Sequence, residues 1–185
     1  MTFEKTPIPG LIVIKPKLFG DSRGFFYESF RKNLAYENGI LEDFVQDNCS
    51  RSVKNTLRGL HYQVEQTQAK LVSCTYGAVL DVVVDVRKGS PTFGEHYTVE
   101  LNHDNHWMMF IPKGLAHGFS VLSDIADFMY KCSDYYLPRG ERGVLWKDEQ
   151  FGIDWKVETP ILSEKDTKHP RLNEINENDL PVFLS

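Results

Sequence analysis

The segment LRGLHYQ, residues 57–63, holds a histidine in surroundings that suit proton transfer. In an extended strand, His61 shares its face with Gly59 and Gln63, whereas Arg58 points to the opposite face. An imidazole that is flanked by a glycine and an amide suits a wall that faces a ligand, and histidine exchanges protons near neutral pH. A lone histidine is more often a hydrogen-bonded residue of a partly buried structural site, so this segment alone leaves both interpretations open.

A second histidine follows a tight turn in the segment IPKGLAHGF, residues 111–119. In its pattern P-x-G-x-x-H, Pro112 and Gly114 supply the turn geometry that delivers His117 onto the next strand. In FGDSRGFFYE, residues 19–28, Arg23 and Glu28 flank another turn. For such charged loop residues a solvated role is the commoner one.

Three tyrosines, Tyr130, Tyr135 and Tyr136, are close together in the sequence. Clustered tyrosines usually serve packing and interfaces. A tyrosine hydroxyl can also donate a proton, and its ring can stack on a base or a sugar. The cluster is therefore compatible with either a structural or a catalytic role.

The P-x-G-x-x-H pattern resembles the second motif of the cupin superfamily. Metal-dependent cupins carry HxH and a nearby glutamate in their first motif, whereas the corresponding stretch here is His61-Tyr62-Gln63. A neutral amide oxygen is a poor ligand for a transition metal, so His61 and His117 lack a third protein ligand. We therefore predict a site that works without a metal or another cofactor.

The elements that must position these side chains are short strands. Residues 80–86 alternate between an apolar row and a face that contains Asp81 and Asp85, which is the period of a strand. Further strands are predicted at residues 11–14, 25–29, 44–50, 57–63, 70–76, 97–101, 107–111, 118–122 and 127–135. The polar turn 102–105 predicts that 97–101 and 107–111 form a hairpin. A short helix that ends at Gly39, and helical turns after Pro170, complete an all-β sandwich or barrel.

Composition limits the possible functions of this chain. It has 185 residues, a net charge of −5 and 41% hydrophobic residues, as expected for one globular domain, 1–185. Its acidity argues against nucleic acid or an anionic membrane as a partner, while leaving room for a local basic pocket. Cys49, Cys74 and Cys132 are predicted to be reduced core residues. With no secretion signal or membrane span recognised, we expect a cytoplasmic protein.

Over nearly its whole length the chain resembles the dTDP-4-dehydrorhamnose 3,5-epimerase family. The matching stretches are FGDSRGFFYES, FVQDN, LRGLHYQ, the start of the strand at Lys70, SPTFG, IPKGLAHGF, the region 129–136 and LSEKD. The resemblance implies an all-β cupin-type jelly roll with short terminal extensions, usually a homodimer. It also implies an isomerase that converts dTDP-4-dehydro-6-deoxy-D-glucose to dTDP-4-dehydro-L-rhamnose without a metal.

The resemblance also assigns roles to residues. His61 matches the general base, Tyr130 the general acid, Asp166 the carboxylate that pairs with the base, and Lys70 the cation near the 4-keto oxygen. Positions that line the nucleotide-sugar site match Arg23, Glu28, Gln46, Asp47, Asn48, Arg58, His117, Tyr136, Glu141 and Lys165. Epimerisation beside a ketone needs these parts, because a base removes a carbon-bound proton, a cation stabilises the enolate oxygen, and an acid reprotonates from the other side.

Other functions remain possible at this point. A family member could invert only one carbon or use another nucleotide, although Tyr130 favours double inversion. A non-catalytic jelly-roll protein that binds sugars would need no acid, base and cation together. A metal-dependent cupin would need a transition metal at the site.

Overall fold

The computed structural model of this protein describes residues 1–184, and Ser185, the last residue of the predicted domain, lies outside them. The strands are β1 (Thr2–Lys5), β2 (Ile12–Lys15), β3 (Phe19–Asp21), β4 (Gly24–Phe26), β5 (Gln46–Val53), β6 (Leu57–Gln63), β7 (Lys70–Tyr76), β8 (Ala78–Asp85), β9 (His96–Asn102), β10 (Met108–Ile111), β11 (Leu115–Val121), β12 (Ile125–Cys132) and β13 (Glu141–Gly143). The helical elements are α1 (Lys32–Glu37) and the 3₁₀ turns Pro138–Gly140, Leu172–Glu174 and Glu177–Asp179.

Two antiparallel sheets face each other. The six-stranded sheet has the order β1-β2-β10-β7-β12-β5, and the five-stranded sheet has the order β13-β6-β11-β8-β9. Val83 and Phe119 of the five-stranded sheet share one buried cluster with Met109 and Phe128 of the six-stranded sheet. Apolar side chains between two antiparallel sheets form the core of a β-sandwich, so the predicted all-β jelly roll is confirmed.

Successive side chains of β8 point alternately to the outer face of the five-stranded sheet and to the interior of the sandwich. Val82 and Val84 join Phe151 and Trp155 of the C-terminal segment in a second buried cluster, on the outer face of the five-stranded sheet. Asp81 therefore points between the two sheets, where it is fully buried. The period-two pattern thus places a carboxylate in the interior of the sandwich.

The C-terminal segment is attached to the sheets by backbone hydrogen bonds. The amide of Ile161 donates to the carbonyl of Asn55 at 2.8 Å, and its own carbonyl accepts from the amide of Leu57 at 3.0 Å. The amide of Leu145 donates to the carbonyl of Pro170 at 2.8 Å. These bonds hold residues 161–170 beside β6, whose first residue is Leu57.

The predicted hairpin of residues 97–101 and 107–111 is wrong. Strand β9 pairs with β8 in the five-stranded sheet, whereas β10 pairs with β2 and β7 in the six-stranded sheet. The polar turn between them carries the chain from one sheet to the other. A turn signal cannot distinguish this crossing from a hairpin, because both need the same local reversal.

The predicted opposition of Arg58 and His61 on strand β6 is also wrong. His61 pairs with His117 and Arg58 pairs with Phe119, so three steps along β6 match two steps along β11. This bulge adds one residue and reverses the alternation, which brings Arg58 to the face of His61. A Cβ at Gly59, where φ is +119°, would lie 2.6 Å from the Cα of Gly118, so the close approach of the two strands requires glycine.

The smaller predictions have mixed outcomes. Helix α1 ends at Glu37 with Asn38 as its C-cap, one position before the predicted Gly39, whose amide donates to the carbonyl of Tyr36. Cys74 and Cys132 are buried and free, but Cys49 is exposed, so the prediction of a core position is wrong for Cys49.

Within residues 1–184, no helix combines the length and the apolar character needed to cross a membrane.

Candidate active site

A cleft between the two sheets gathers most of the predicted catalytic side chains. One lobe, of about 350 Å³, is lined by His61, Lys70 and Tyr130. The neighbouring lobe, of about 580 Å³, is lined by His61, Tyr130 and Asp166. Because His61 and Tyr130 line both lobes, the predicted base and the predicted acid share one continuous cleft.

The six-stranded sheet supplies one wall of the cleft. Cys132 of β12 lies between Lys70 of β7 and Gln46 of β5. Two residues earlier, Tyr130 pairs with Asn48. Residues two apart on a strand share a face, so these side chains form adjacent rows on the cleft side of the sheet.

The five-stranded sheet supplies the opposite wall. His61 and His117 are cross-strand partners on β6 and β11, and Glu141 of β13 pairs with Gln63 of β6. The bulge at Gly59 adds Arg58 to this wall, where its Nε donates to Ser52 Oγ at 3.2 Å. His61 and Tyr130 therefore approach the cleft from opposite sheets, which is the arrangement needed for proton transfer on two faces of one carbon.

His61 is paired with a buried carboxylate. Its Nε2–H donates to Asp166 Oδ1 at 2.6 Å, and Asp166 is only 2% exposed. Burial tends to raise the pKa of Asp166, but its contacts with His169, His61 and Ser163 outweigh burial and hold the pKa well below the usual range. An ionised carboxylate on Nε2 leaves Nδ1 as the nitrogen that can accept a proton, as in hydrolase triads.

His117 has a carboxylate partner of its own. Its Nε2–H donates to Asp81 Oδ1 at 2.7 Å, and both side chains are buried. Burial raises the pKa of Asp81, although His117 and Lys70 oppose this effect. The sequence analysis did not select Asp81, even though its inward position on β8 was the signal that could have identified it.

Lys70 and Tyr130 face each other within the six-stranded wall. Lys70 Nζ lies 5.8 Å from the centroid of the Tyr130 ring. Burial lowers the pKa of the Lys70 ammonium, whereas burial raises the pKa of the Tyr130 hydroxyl. The first shift makes Lys70 a readier proton donor to an oxyanion, and the second keeps Tyr130 protonated at neutral pH.

The rim of the cleft carries a hydrogen-bonded group around Glu141. Tyr136 donates its hydroxyl proton to Glu141 Oε2 at 2.6 Å, which, with some burial, raises the pKa of Tyr136 to about 12. Lys165 forms an ion pair with the same carboxylate oxygen. Glu141 Oε1 also lies 3.9 Å from His61 Nδ1, so the rim reaches the free nitrogen of the predicted base.

Three predicted site residues do not reach this cleft within the chain. Arg23 pairs with Asp21 on the β3–β4 hairpin, and its side chain is 88% exposed. Glu28 pairs with Arg31 at 3.6 Å. Asp47 binds Lys131 on the outer face of β5, because alternation turns it away from its neighbours on the strand.

Other side chains line the cleft although the sequence analysis did not assign them to the site. In the lobe of about 350 Å³ these are Tyr62, Gln63, Gln68 and Cys132. Gln63 and Cys132 lie two residues beyond His61 and Tyr130 on the same strands, so strand alternation could have identified both.

One set of three side chains within residues 1–184 has the spacing of metal ligands. It consists of His61, Asp166 and His169, whose ligand atoms all lie within 4.8 Å of one another. His117, the second imidazole considered in the sequence analysis, does not belong to this set. Besides His61, both members of the set come from the C-terminal segment, and neither comes from the second histidine motif.

Comparison with known proteins agrees with this architecture. The family model of dTDP-4-dehydrorhamnose 3,5-epimerase matches residues 5–174. The dTDP-4-dehydrorhamnose 3,5-epimerase of Shigella flexneri is 51% identical over 168 residues, which cover 90% of this chain and 93% of the relative.

Two solved structures share the fold. The dTDP-6-deoxy-D-glucose-3,5-epimerase RmlC of Legionella pneumophila Philadelphia 1, in complex with dTDP-4-keto-L-rhamnose, is 51% identical with a TM-score of 0.96, covering 100% of this chain and 99% of that one. ChmJ, a 3'-monoepimerase of Streptomyces bikiniensis in complex with dTDP-quinovose, is 36% identical with a TM-score of 0.89. The match covers 96% of this chain and 91% of the ChmJ chain.

The fold and the cleft define a cupin-type jelly-roll protein whose interior is equipped for proton transfer. More specifically, the extent and identity of the matches show that the chain belongs to the dTDP-4-dehydrorhamnose 3,5-epimerase family.

Proposed function

We propose that this protein is an isomerase that inverts carbons 3 and 5 of dTDP-4-dehydro-6-deoxy-D-glucose to give dTDP-4-dehydro-L-rhamnose. The observation that carries this function is the placement of His61 and Tyr130 on opposite walls of one cleft, with Lys70 beside Tyr130. Both carbons flank the 4-keto group, so the same enolate chemistry serves each inversion.

His61 acts as the base through Nδ1. Asp166 holds the Nε2–H tautomer and stabilises the imidazolium that forms when Nδ1 takes the proton from carbon. As the proton leaves, negative charge moves onto the keto oxygen, where the Lys70 ammonium stabilises it. Tyr130 then returns a proton from the other wall, which inverts the carbon.

The remaining polar residues of the cleft bind the nucleotide part. Arg58 offers a planar cation on the His61 wall, which suits a phosphate oxygen pair. Tyr136, held by Glu141, presents an aromatic face at the rim for stacking on the base. Gln46 and Asn48 supply neutral hydrogen-bonding groups on the opposite wall.

We further propose that the active form is a homodimer. The β3–β4 hairpin exposes Phe19, Phe25 and Phe26 by 54–66%, and apolar groups of this size favour burial against a second chain. Arg23 and Glu28, which the resemblance places at the substrate, belong to this region and would reach the cleft of a second copy. Sedimentation analysis of the wild type and of Phe26→Ser tests this, since a monomeric wild type would contradict it.

Incubation with the sugar nucleotide in heavy water tests the reaction. Deuterium at both carbon 3 and carbon 5 is the expected result. Deuterium at one carbon only would indicate a monoepimerase, the activity that is named for the structurally similar ChmJ. No incorporation at either carbon would favour a non-catalytic sugar-binding protein.

A further inference from the structure

A second imidazole approaches the buried carboxylate that holds the proposed base. His169 Nε2 lies 3.7 Å from Asp166 Oδ1, and this nitrogen is buried without a hydrogen-bond partner among the described residues. His61 Nε2 occupies the other side of the same oxygen at 2.6 Å. Two imidazole nitrogens thus converge on one carboxylate oxygen, although only one of them is bonded to it.

His169 is held in this position by its surroundings. A Cβ on Gly143 would lie 2.4 Å from the His169 ring, so the ring packs directly on the backbone of β13. Gly143 is the cross-strand partner of His61, and the two imidazole rings meet edge to face with centroids 5.5 Å apart. The next residue, Pro170, is anchored through its carbonyl to Leu145.

We propose that His61, Asp166 and His169 form a binding site for a divalent transition-metal ion, with Zn²⁺ as the fitting ion, and that its occupation inhibits the protein. Two imidazoles and a carboxylate are a ligand set that zinc accepts, with a fourth position left open. Zn–N and Zn–O bonds of about 2.0–2.1 Å in a tetrahedron require ligand atoms about 3.3 Å apart. The observed 2.6 and 3.7 Å bracket that spacing, and the ligand atoms of all three residues lie within 4.8 Å of one another, so side-chain shifts of up to about 1.5 Å would complete the site.

Inhibition follows from the nitrogen that the ion would occupy. In the active tautomer, Nε2 of His61 carries the proton and Nδ1 carries the free electron pair. When the ion binds Nε2, the ring proton moves to Nδ1, with no net proton released, and no electron pair remains to accept a proton from substrate. Metal binding is independent of the proposed function, whereas the inhibition rests on it.

Direct binding is the first test. Equilibrium dialysis of the metal-free protein with Zn²⁺ should give one ion per chain, and Co²⁺ should develop the strong visible absorption of four-coordinate cobalt. His169→Gln removes a direct ligand, so it should weaken Zn²⁺ binding by at least the factor of about 10–100 that loss of an outer-shell partner costs. His103→Gln, which removes a half-exposed histidine elsewhere, is the matched control and should bind as the wild type does. Equal affinity in the wild type and His169→Gln, or no stoichiometric binding, would overturn the site.

Turnover is the second test, with each variant compared with its own rate in the presence of a chelator. Zn²⁺ should suppress wild-type turnover reversibly, and His169→Gln should need at least about tenfold more Zn²⁺ for the same suppression. Turnover that is unchanged or raised by bound Zn²⁺ would overturn the inhibition. Absence of epimerisation even with chelator would refute the proposed function, and the dialysis result would still decide the site.

Discussion

His61 and His117 are cross-strand partners, and each donates its Nε2–H to a different buried carboxylate. The two pairs differ in access, because the side chain of His61 is 27% exposed to the cleft and that of His117 is only 8% exposed. A base must reach its substrate, so this difference supports His61, and not His117, as the proposed base.

His61→Asn should therefore lower kcat by about 10²–10⁴-fold while leaving the fold intact. His117→Asn is the matched substitution on the neighbouring strand, and its main effect should be a lower melting temperature with a smaller loss of turnover. Steady-state kinetics and thermal unfolding of both variants separate the two roles. A well-folded His61→Asn with a rate near that of the wild type would remove His61 as the base.

Tyr130→Phe keeps the ring on the cleft wall and removes the proton that the hydroxyl donates. Product formation should fall by about 10²-fold, whereas exchange of substrate hydrogen for solvent deuterium should fall much less, because His61 still removes the proton. Nuclear magnetic resonance in heavy water measures both rates in one sample. An equal fall in exchange and in product formation would argue against Tyr130 as the reprotonating acid.

Lys70→Met should separate activity from stability. Burial lowers the pKa of Lys70, which shows that its charged form is disfavoured in the folded protein. An apolar side chain of similar length should thus raise the free energy of unfolding by about 1 kcal/mol. It should lower kcat by about 10²–10³-fold, because the enolate oxygen loses its cation. Denaturant unfolding measures the change in the free energy of unfolding, and steady-state kinetics measures the change in kcat. A variant less stable than the wild type would contradict the argument from burial.

Acid sensitivity should depend on Asp166. Its folded pKa is below the ordinary 3.8, so its contribution to stability is complete above that value and is lost as the pH falls through the folded pKa. The free energy of unfolding of Asp166→Asn should accordingly fall less steeply than that of the wild type below about pH 5. Asp124→Asn, whose side chain is 96% exposed, is the control and should follow the wild type. Parallel curves for all three proteins would contradict the prediction.

Gly59→Ala tests the bulge that brings Arg58 and His61 to one wall. The added Cβ meets the backbone of Gly118 and also requires an unfavourable positive φ, so we expect a loss of about 3 kcal/mol. Gly89→Ala is the control, because φ there is +84° with open space around the Cβ, and it should cost only about 1 kcal/mol. Equal losses, measured by denaturant unfolding, would show that the close approach contributes nothing.

Local patterns predicted the strands well but not their partners. Alternation located β8 and placed Asp81 and Asp85 on one of its faces, since side-chain period is a local property, but it did not show that this face points into the sandwich. Alternation predicted the wrong face for Arg58, because the bulge in β6 appears only when β6 is aligned with its neighbour β11. It also could not show that β9 and β10 belong to different sheets, since pairing depends on the whole sandwich.

The site residues were likewise predicted only in part from the sequence. The resemblance supplied His61, Tyr130, Lys70 and Asp166, and the structure brings all four to one cleft. Asp47 matched the motif but faces outward, and no local feature of the sequence indicated that His169 lies beside His61 and Asp166, the proposed catalytic pair.

The proposed base comes from strand β6, but its carboxylate partner comes from the C-terminal segment, which backbone bonds at Ile161 and Pro170 and the buried side chains of Phe151 and Trp155 attach to the five-stranded sheet. Local detachment of residues 161–170 would separate Asp166 from His61 while the buried cluster of Phe151 and Trp155 keeps the sheet covered. Warming or partial proteolysis should then abolish turnover before the β signal in circular dichroism is lost. The attachment of the C-terminal segment would then limit activity. Loss of turnover would reveal its detachment before either sheet unfolds.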